Sequence, residues 1–234
     1  FRLSTISPRD SRQAGCREAK RKLYLATEGL TELHYFESFN TKYSSKLLIE
    51  IHSLERLDVS KSNPQTITQM LHNLVSCSKT LTEDEKEQIQ TIIKDMNGND
   101  ETSFDSHKQA IEAILGEARF NLFYSEKARD LASYQLLLDM SYIEEGDSIG
   151  IIIDRDKHSF TEEQFDYVES VCKSNNYLLG ITNPCFELYL LLHLKDVCTL
   201  NLNEIKDNKK TGDDTYMTSC LKSSLQGSTC ENKN

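Results

Sequence analysis

Ile149-Gly150-Ile151-Ile152-Ile153-Asp154-Arg155-Asp156 is the stretch on which the fold turns. A short apolar run rich in β-branched residues reads as a strand buried on both faces, as in the middle of a parallel sheet. The run ends abruptly in two carboxylates one residue apart. Ligands of open α/β sheets bind outside the carboxyl ends of the strands. Two hard oxygen donors placed there can converge on a cation such as Mg²⁺ without a dedicated cage. A lone Asp-x-Asp reads equally well as a solvated loop that merely terminates its strand. Its weight therefore depends on what the chain sets beside it.

Three further strands are expected around it. Leu23-Tyr24-Leu25-Ala26-Thr27 is the first, followed at once by Glu28-Gly29, where glycine allows a sharp turn. Thr31 then caps a helix carrying Leu33, Tyr35, Phe36 and Phe39, with Glu32 in the first turn, where the helix dipole favours an acid. Leu47-Leu48-Ile49-Glu50-Ile51 reads as the second strand. Beyond Asp156 come Lys157-His158 and a helix from Thr161 to about Lys173, with Phe165, Val168 and Cys172 toward the sheet. Tyr177-Leu178-Leu179-Gly180-Ile181-Thr182 is the fourth strand. Asn183-Pro184 then gives a cap-plus-proline start to an apolar helix from Cys185 to Leu194. Glu187 is an isolated acid among Phe186, Leu188, Leu190, Leu191 and Leu192. It either complements the helix dipole or aims into the cleft at the strand ends.

Between the second strand and Ile149 the pattern is helical throughout. Asn63-Pro64 opens one helix with Ile67, Met70, Leu71, Leu74 and Val75 on one face. Thr82-Glu83-Asp84-Glu85 is a capping box for another, with Ile89, Ile92, Ile93 and Met96 as its buried stripe and Gly98 as its stop. Further helices are expected over 106–115 and 126–140. This is too much chain for a simple crossover and reads as an inserted helical lobe. The expected organisation is a basic arm over 1–21, core over 22–62, helical insertion over 63–143, core again over 144–198, and a polar tail over 199–234. Basic residues gather in and just after the arm, at Arg9, Arg12, Arg17, Lys20, Arg21 and Lys22, and read as solvated or as a phosphate contact beside the site. The tail reads as partly disordered or as a docking segment.

Composition narrows the classes. With 234 residues, 38% hydrophobic and 27% charged, the chain can bury a sizeable core with an inserted subdomain. No apolar run approaches the roughly 20 residues needed to span a bilayer. The stretch opens on Phe1 rather than Met, so an upstream piece is expected, and no secretory signal is visible. Seven scattered cysteines include no Cys-x-x-Cys pair, which argues against zinc and for a reducing, cytoplasmic setting. His52, His72 and His107 lack ligand spacing and read as surface or core-edge residues. The net charge of −10 argues against coating nucleic acid by bulk electrostatics, yet not against holding phosphates through bound cations.

A parallel sheet with right-handed crossovers would bring Glu28, Asp154, Asp156 and Glu187 to one edge. Clustered carboxylates repel and raise each other's pKa unless a cation neutralises them. That is the chemistry of metal-assisted phosphoryl transfer. Glu28 would serve as general base or share a second metal, and Lys157 or His158 would stabilise charge on the phosphate.

Thr27-Glu28-Gly29-Leu30-Thr31-Glu32, Asn63-Pro64, Asp154-Arg155-Asp156 and Asn183-Pro184-Cys185-Phe186-Glu187-Leu188-Tyr189-Leu190-Leu191 occur in this order. Together they resemble the RloB-like family, named for a protein of bacterial restriction loci and associated with anti-phage defence. The resemblance runs from about Lys22 to Leu194 and is most specific in Asn-Pro-Cys-Phe-Glu-Leu. It implies an α/β fold with a Toprim-like, Rossmannoid parallel sheet flanked by helices, the metal-binding fold shared with topoisomerases, bacterial primases and OLD-type nucleases. It implies that Glu28 is the catalytic acid/base and that Asp154 and Asp156 bind Mg²⁺ (or Mn²⁺). Glu32 and Glu187 match family positions and join the expected metal set, with Lys157 in the catalytic one. Tyr189 stands where the family often has Trp. Relatives of this kind commonly work beside an ABC-type ATPase.

The leading expectation is a metal-dependent nuclease acting on DNA or RNA, tRNA included. Its expected partners are the nucleic-acid substrate, an ATPase and further copies of itself, with no membrane. A haloacid-dehalogenase-type phosphatase fits less well. That reading needs its nucleophile on the first strand and Thr or Val four residues on, where this chain has a third strand and His158. Sugar-nucleotide transferases also carry a strand that ends in Asp-x-Asp. A non-catalytic docking or sensor subunit, binding metal or nucleotide in the acidic pocket, is the remaining alternative.

Overall fold

Four parallel strands lie in the order β2-β1-β3-β4: β1 Arg21–Thr27, β2 Ile49–Leu54, β3 Ser148–Asp154 and β4 Leu178–Thr182. The computed structural model that contains them describes residues 21–43, 45–54, 63–98, 104–123, 131–155 and 160–231. Across the sheet Tyr24 pairs with Ile149, Ala26 with Ile151, and Ile151 with Leu179. Because side chains alternate along a strand, these residues and Ile153 share one face. Leu25, Gly150, Ile152 and Gly180 share the other. Ile151 and Ile153 have no exposed surface. Full burial of such a side chain contributes about 1.5–3 kcal/mol, so β3 anchors the sheet as its apolar run predicts.

Helices cover the sheet. α1 (Leu30–Tyr43) connects β1 to β2 and packs on them, whereas α6 (Glu162–Asn175) connects β3 to β4 in the opposite direction. Right-handed crossovers that travel in opposite directions place their helices on opposite faces. The insertion between β2 and β3 consists of α2 (Pro64–Ser78), α3 (Glu83–Gly98), α4 (Phe104–Phe123) and α5 (Leu131–Ser141). α2 lies beside α6 and joins the main core through Ile67, Leu71, Leu74 and Val75, and α3, α4 and α5 pack behind it. No helix among the described residues is long and apolar enough to cross a membrane.

Local signals place most of these helices. Asn63 accepts from the Gln65 amide at 2.8 Å with Pro64 in the first turn of α2. Thr82 and Glu85 form the expected reciprocal cap of α3, the Thr82 N–H donating to Glu85 Oε2 at 2.8 Å. Thr161 and Gln164 do the same for α6, whose Val168 and Cys172 are buried.

Three readings of where elements begin are corrected. β2 begins at Ile49, because Leu47 and Leu48 sit in a turn where the Leu47 amide donates to the Tyr43 carbonyl and Leu48 is exposed. α1 begins at Leu30, its Leu33 amide donating to Gly29, so Thr31 lies inside the helix rather than capping it. Asn183 does not cap α7 (Phe186–Leu192); Cys185 occupies that position.

The polar C-terminal segment is folded as far as residue 231. α8 (Leu202–Asp207), a short hairpin of β5 (Lys210–Thr211) and β6 (Asp214–Thr215), and α9 (Tyr216–Glu231) follow α7. Ile205, Met217 and Leu221 are widely spaced among polar residues, yet they meet Cys185 and Leu191 in a second core. Composition alone hides such a core. The basic residues of 1–20, with Asp156, Lys157 and His158, lie outside the described residues.

Candidate metal centre at the sheet edge

β1 and β3 are neighbours, and the chain leaves them in opposite directions. Their carboxyl ends therefore form the crevice where open α/β sheets bind ligands. Glu28 stands at one end and Asp154 at the other. The Asp154 amide donates to Glu28 Oε2 at 2.8 Å, which fixes the Glu28 carboxylate against β3. β4 joins them. The Thr182 hydroxyl donates to Asp154 Oδ1, and the Arg155 amide donates to the Thr182 carbonyl at 2.7 Å. Three strand ends are thus laced together through one acid.

Glu32 enters from the first turn of α1 and is 3% exposed. Its approach depends on the glycine of the turn, since a Cβ on Gly29 would stand 2.6 Å from Glu32 Oε2. Glu187 enters from the first turn of α7 and is half-buried. α1 and α7 are locked by aromatic rings: Tyr35 meets Phe186 edge-on at 5.4 Å and Tyr189 at 6.0 Å, and Phe36 lies 6.0 Å from Phe186. Such pairs contribute about 0.5–1.5 kcal/mol each beyond their burial. Tyr189 thus serves the packing of the two acid-bearing helices.

The field at the edge is acidic. Burial pushes the Asp154 carboxyl up to about 8, and the charges of Glu32, Glu28 and Glu187 push the same way against the Thr182 hydrogen bond. Cys185 feels the same neighbours: burial, then the Glu187 charge, hold its thiol far above the ordinary range. Four carboxylates thus share one site. They are hard oxygen donors, the chemistry that suits Mg²⁺ or Mn²⁺. Among the described residues, no group of three His, Cys, Asp or Glu side chains is arranged to hold an ion by itself. Mg²⁺ is usually held by one or two carboxylates together with waters and substrate phosphates. The donor chemistry would therefore suit an ion whose remaining positions waters or phosphates fill.

The structure brings Glu28, Glu32, Asp154 and Glu187 of the expected set to one edge. Asp156 and Lys157 lie outside the described residues. Thr182 and Cys185 take part without having been singled out. A hydroxyl at a strand end gives Thr182 a weak signal, and a thiol beside an acid gives Cys185 none.

A doubly wound α/β chain with acids gathered at its topological switch point is the class that fold and site define. A family model described as RloB-like protein matches residues 23–232, nearly the whole chain, C-terminal segment included. The chain belongs to the RloB-like family. Comparison with curated proteins gives no match, and comparison with solved structures gives none.

Proposed function

We propose that this protein is a Mg²⁺- or Mn²⁺-dependent nuclease of Toprim type that cleaves phosphodiester bonds of DNA or RNA, tRNA included. The observation that carries the reading is the convergence of Glu28, Glu32 and Glu187 on Asp154 at the switch point of a parallel sheet. A bound divalent ion supplies charge stabilisation on the phosphate and a more acidic attacking water. Asp154, Glu32 and Glu187 are the residues that would hold it, with Thr182 orienting the Asp154 carboxylate. Glu28, which accepts from the β3 amide, would take the proton of the attacking group. The defence role and the ATPase partner rest on the family resemblance.

Cleavage of a mixed panel (plasmid, single-stranded DNA and total tRNA) with Mg²⁺ or Mn²⁺ tests this reading, comparing wild type with Asp154→Ala. Cutting that the substitution abolishes supports it and names the substrate class. Cutting that persists in Asp154→Ala refutes it.

The second reading is a docking or sensor subunit that binds metal or nucleotide without chemistry. The net charge of −10 favours it. Glu28→Gln separates the two, since a binding module tolerates loss of a general base and a nuclease does not.

A further inference from the structure

Glu187 reaches the site from a helix of two turns whose N-cap residue, Cys185, makes no side-chain capping bond. Besides the aromatic contacts with α1, the C-terminal segment steadies it. Leu191 of α7 is fully buried, and with Cys185 it packs on Ile205 of α8 and on Met217 and Leu221 of α9.

At the border of this small core stands Asn208, the C-cap of α8. Its φ of 36° lies in the left-handed region that asparagine tolerates better than most residues. Its side chain faces two ways. Oδ1 accepts from the Met217 amide at the start of α9 at 3.0 Å, and Nδ2 donates to Cys185 Sγ at 3.4 Å. Cys185 is the N-cap of α7 and stands two residues before Glu187, which lies in the first turn of that helix. The bonds therefore tie the end of α8 and the start of α9 to the N-cap of the helix that carries Glu187.

We propose that Asn208 and Cys185 are positioning residues for Glu187, so that the segment 202–231 sets the geometry of the metal centre. This rests on the reading of Glu187 as a metal ligand given above. Partners that orient a ligating carboxylate typically change metal affinity 10–100-fold when removed. Asparagine is required at 208 because it alone combines a donor for sulfur, an acceptor for an amide and tolerance of the left-handed backbone. Aspartate lacks the donor.

The test is Mn²⁺ binding to the full chain, followed by the electron paramagnetic resonance of free ion. Glu187→Gln, Asn208→Gly, Cys185→Ala and Cys185→Ser are compared with wild type. Asn208→Gly keeps the left-handed backbone and removes the bridge, and Cys185→Ser keeps an acceptor for the Asn208 amide. Glu187→Gln, Asn208→Gly and Cys185→Ala are expected to weaken binding about tenfold or more, with Cys185→Ser staying within about threefold of wild type. In the Glu187→Gln background, Cys185→Ala is expected to add nothing.

Wild-type binding by Glu187→Gln removes the ligand reading, and this inference with it. Weakened binding by Glu187→Gln, with wild-type binding by Cys185→Ala, overturns the inference alone. So does an equal effect of Cys185→Ala in both backgrounds, which would mark a merely structural role. Should Asn208→Gly fail to fold, the two Cys185 variants still decide.

Discussion

Replacing Gly29 by alanine probes how closely the turn after β1 is fitted to the acidic site. The backbone there has no left-handed φ, so alanine is allowed conformationally and only space matters. The added methyl would sit 2.6 Å from Glu32 Oε2, 3.5 Å from its Cδ and 3.7 Å from Oε1. Restoring an ordinary 3.4 Å contact requires the oxygen to retreat by about 0.8 Å. Glu32 is buried, so this retreat alters its position relative to Asp154. Overpacking in cores costs about 1–3 kcal/mol. The loss of glycine's freedom in the unfolded chain returns about 0.4–1 kcal/mol, and the clash is with the end of a flexible side chain. Gly29→Ala should therefore lower unfolding stability by no more than about 1–2 kcal/mol in urea melts. Calorimetric titration should show Mg²⁺ binding weakened about tenfold. In a Glu32→Ala background the same substitution should leave Mg²⁺ binding unchanged and raise stability by about 0.4–1 kcal/mol. Wild-type Mg²⁺ affinity in Gly29→Ala, or an equal loss in both backgrounds, would refute the reasoning.

Other consequences lie away from the site. Glu85 makes a two-pronged pair with Arg119 (2.5 and 3.2 Å), and these bonds with the Thr82 amide hold its carboxyl down at about 2. A depressed folded pKa means stability present above the ordinary glutamate range and lost as pH falls through about 4.5 toward 2. Discounted for partial exposure, Glu85→Gln should cost roughly 1–2 kcal/mol at pH 7. The difference should vanish near pH 2, and a difference that grows on acidification would contradict the assignment. Leu191→Ala opens the second core at a fully buried position and should cost about 2–4 kcal/mol in a denaturant melt. A cost under 0.5 kcal/mol would show that α7 does not depend on that core. Gly150→Ala places a methyl 3.1 Å from Leu25 Cδ1 and 3.4 Å from Leu178 Cβ, in the middle of the sheet. A loss of about 1–3 kcal/mol in the same melt is expected.

The sheet was legible because β3 is an uninterrupted apolar run and its two carboxylates mark its end. β2 was less so. Leu47 and Leu48 look like strand residues, whereas Glu50 and His52 belong to the true edge strand, where a half-exposed face admits polar side chains. The Asn-Pro rule held at Asn63 and failed at Asn183, where the helix starts two residues later. The C-terminal core escaped notice because its apolar residues are sparse and gain their meaning only by meeting Leu191 and Cys185 of α7. Glu28, Glu32, Asp154 and Glu187 could be singled out because acids just after strands stand out. Thr182, Cys185 and Asn208 act through hydrogen bonds between elements far apart in sequence, and no local pattern records those.

The most direct test of the proposed metal centre is a calorimetric Mg²⁺ titration of wild type against Asp154→Ala. The variant removes the acid that joins three strand ends. The account predicts saturable binding by wild type that is lost in Asp154→Ala. Equal binding by both, or no binding by a folded wild type in the presence of a nucleic-acid oligomer, would contradict it.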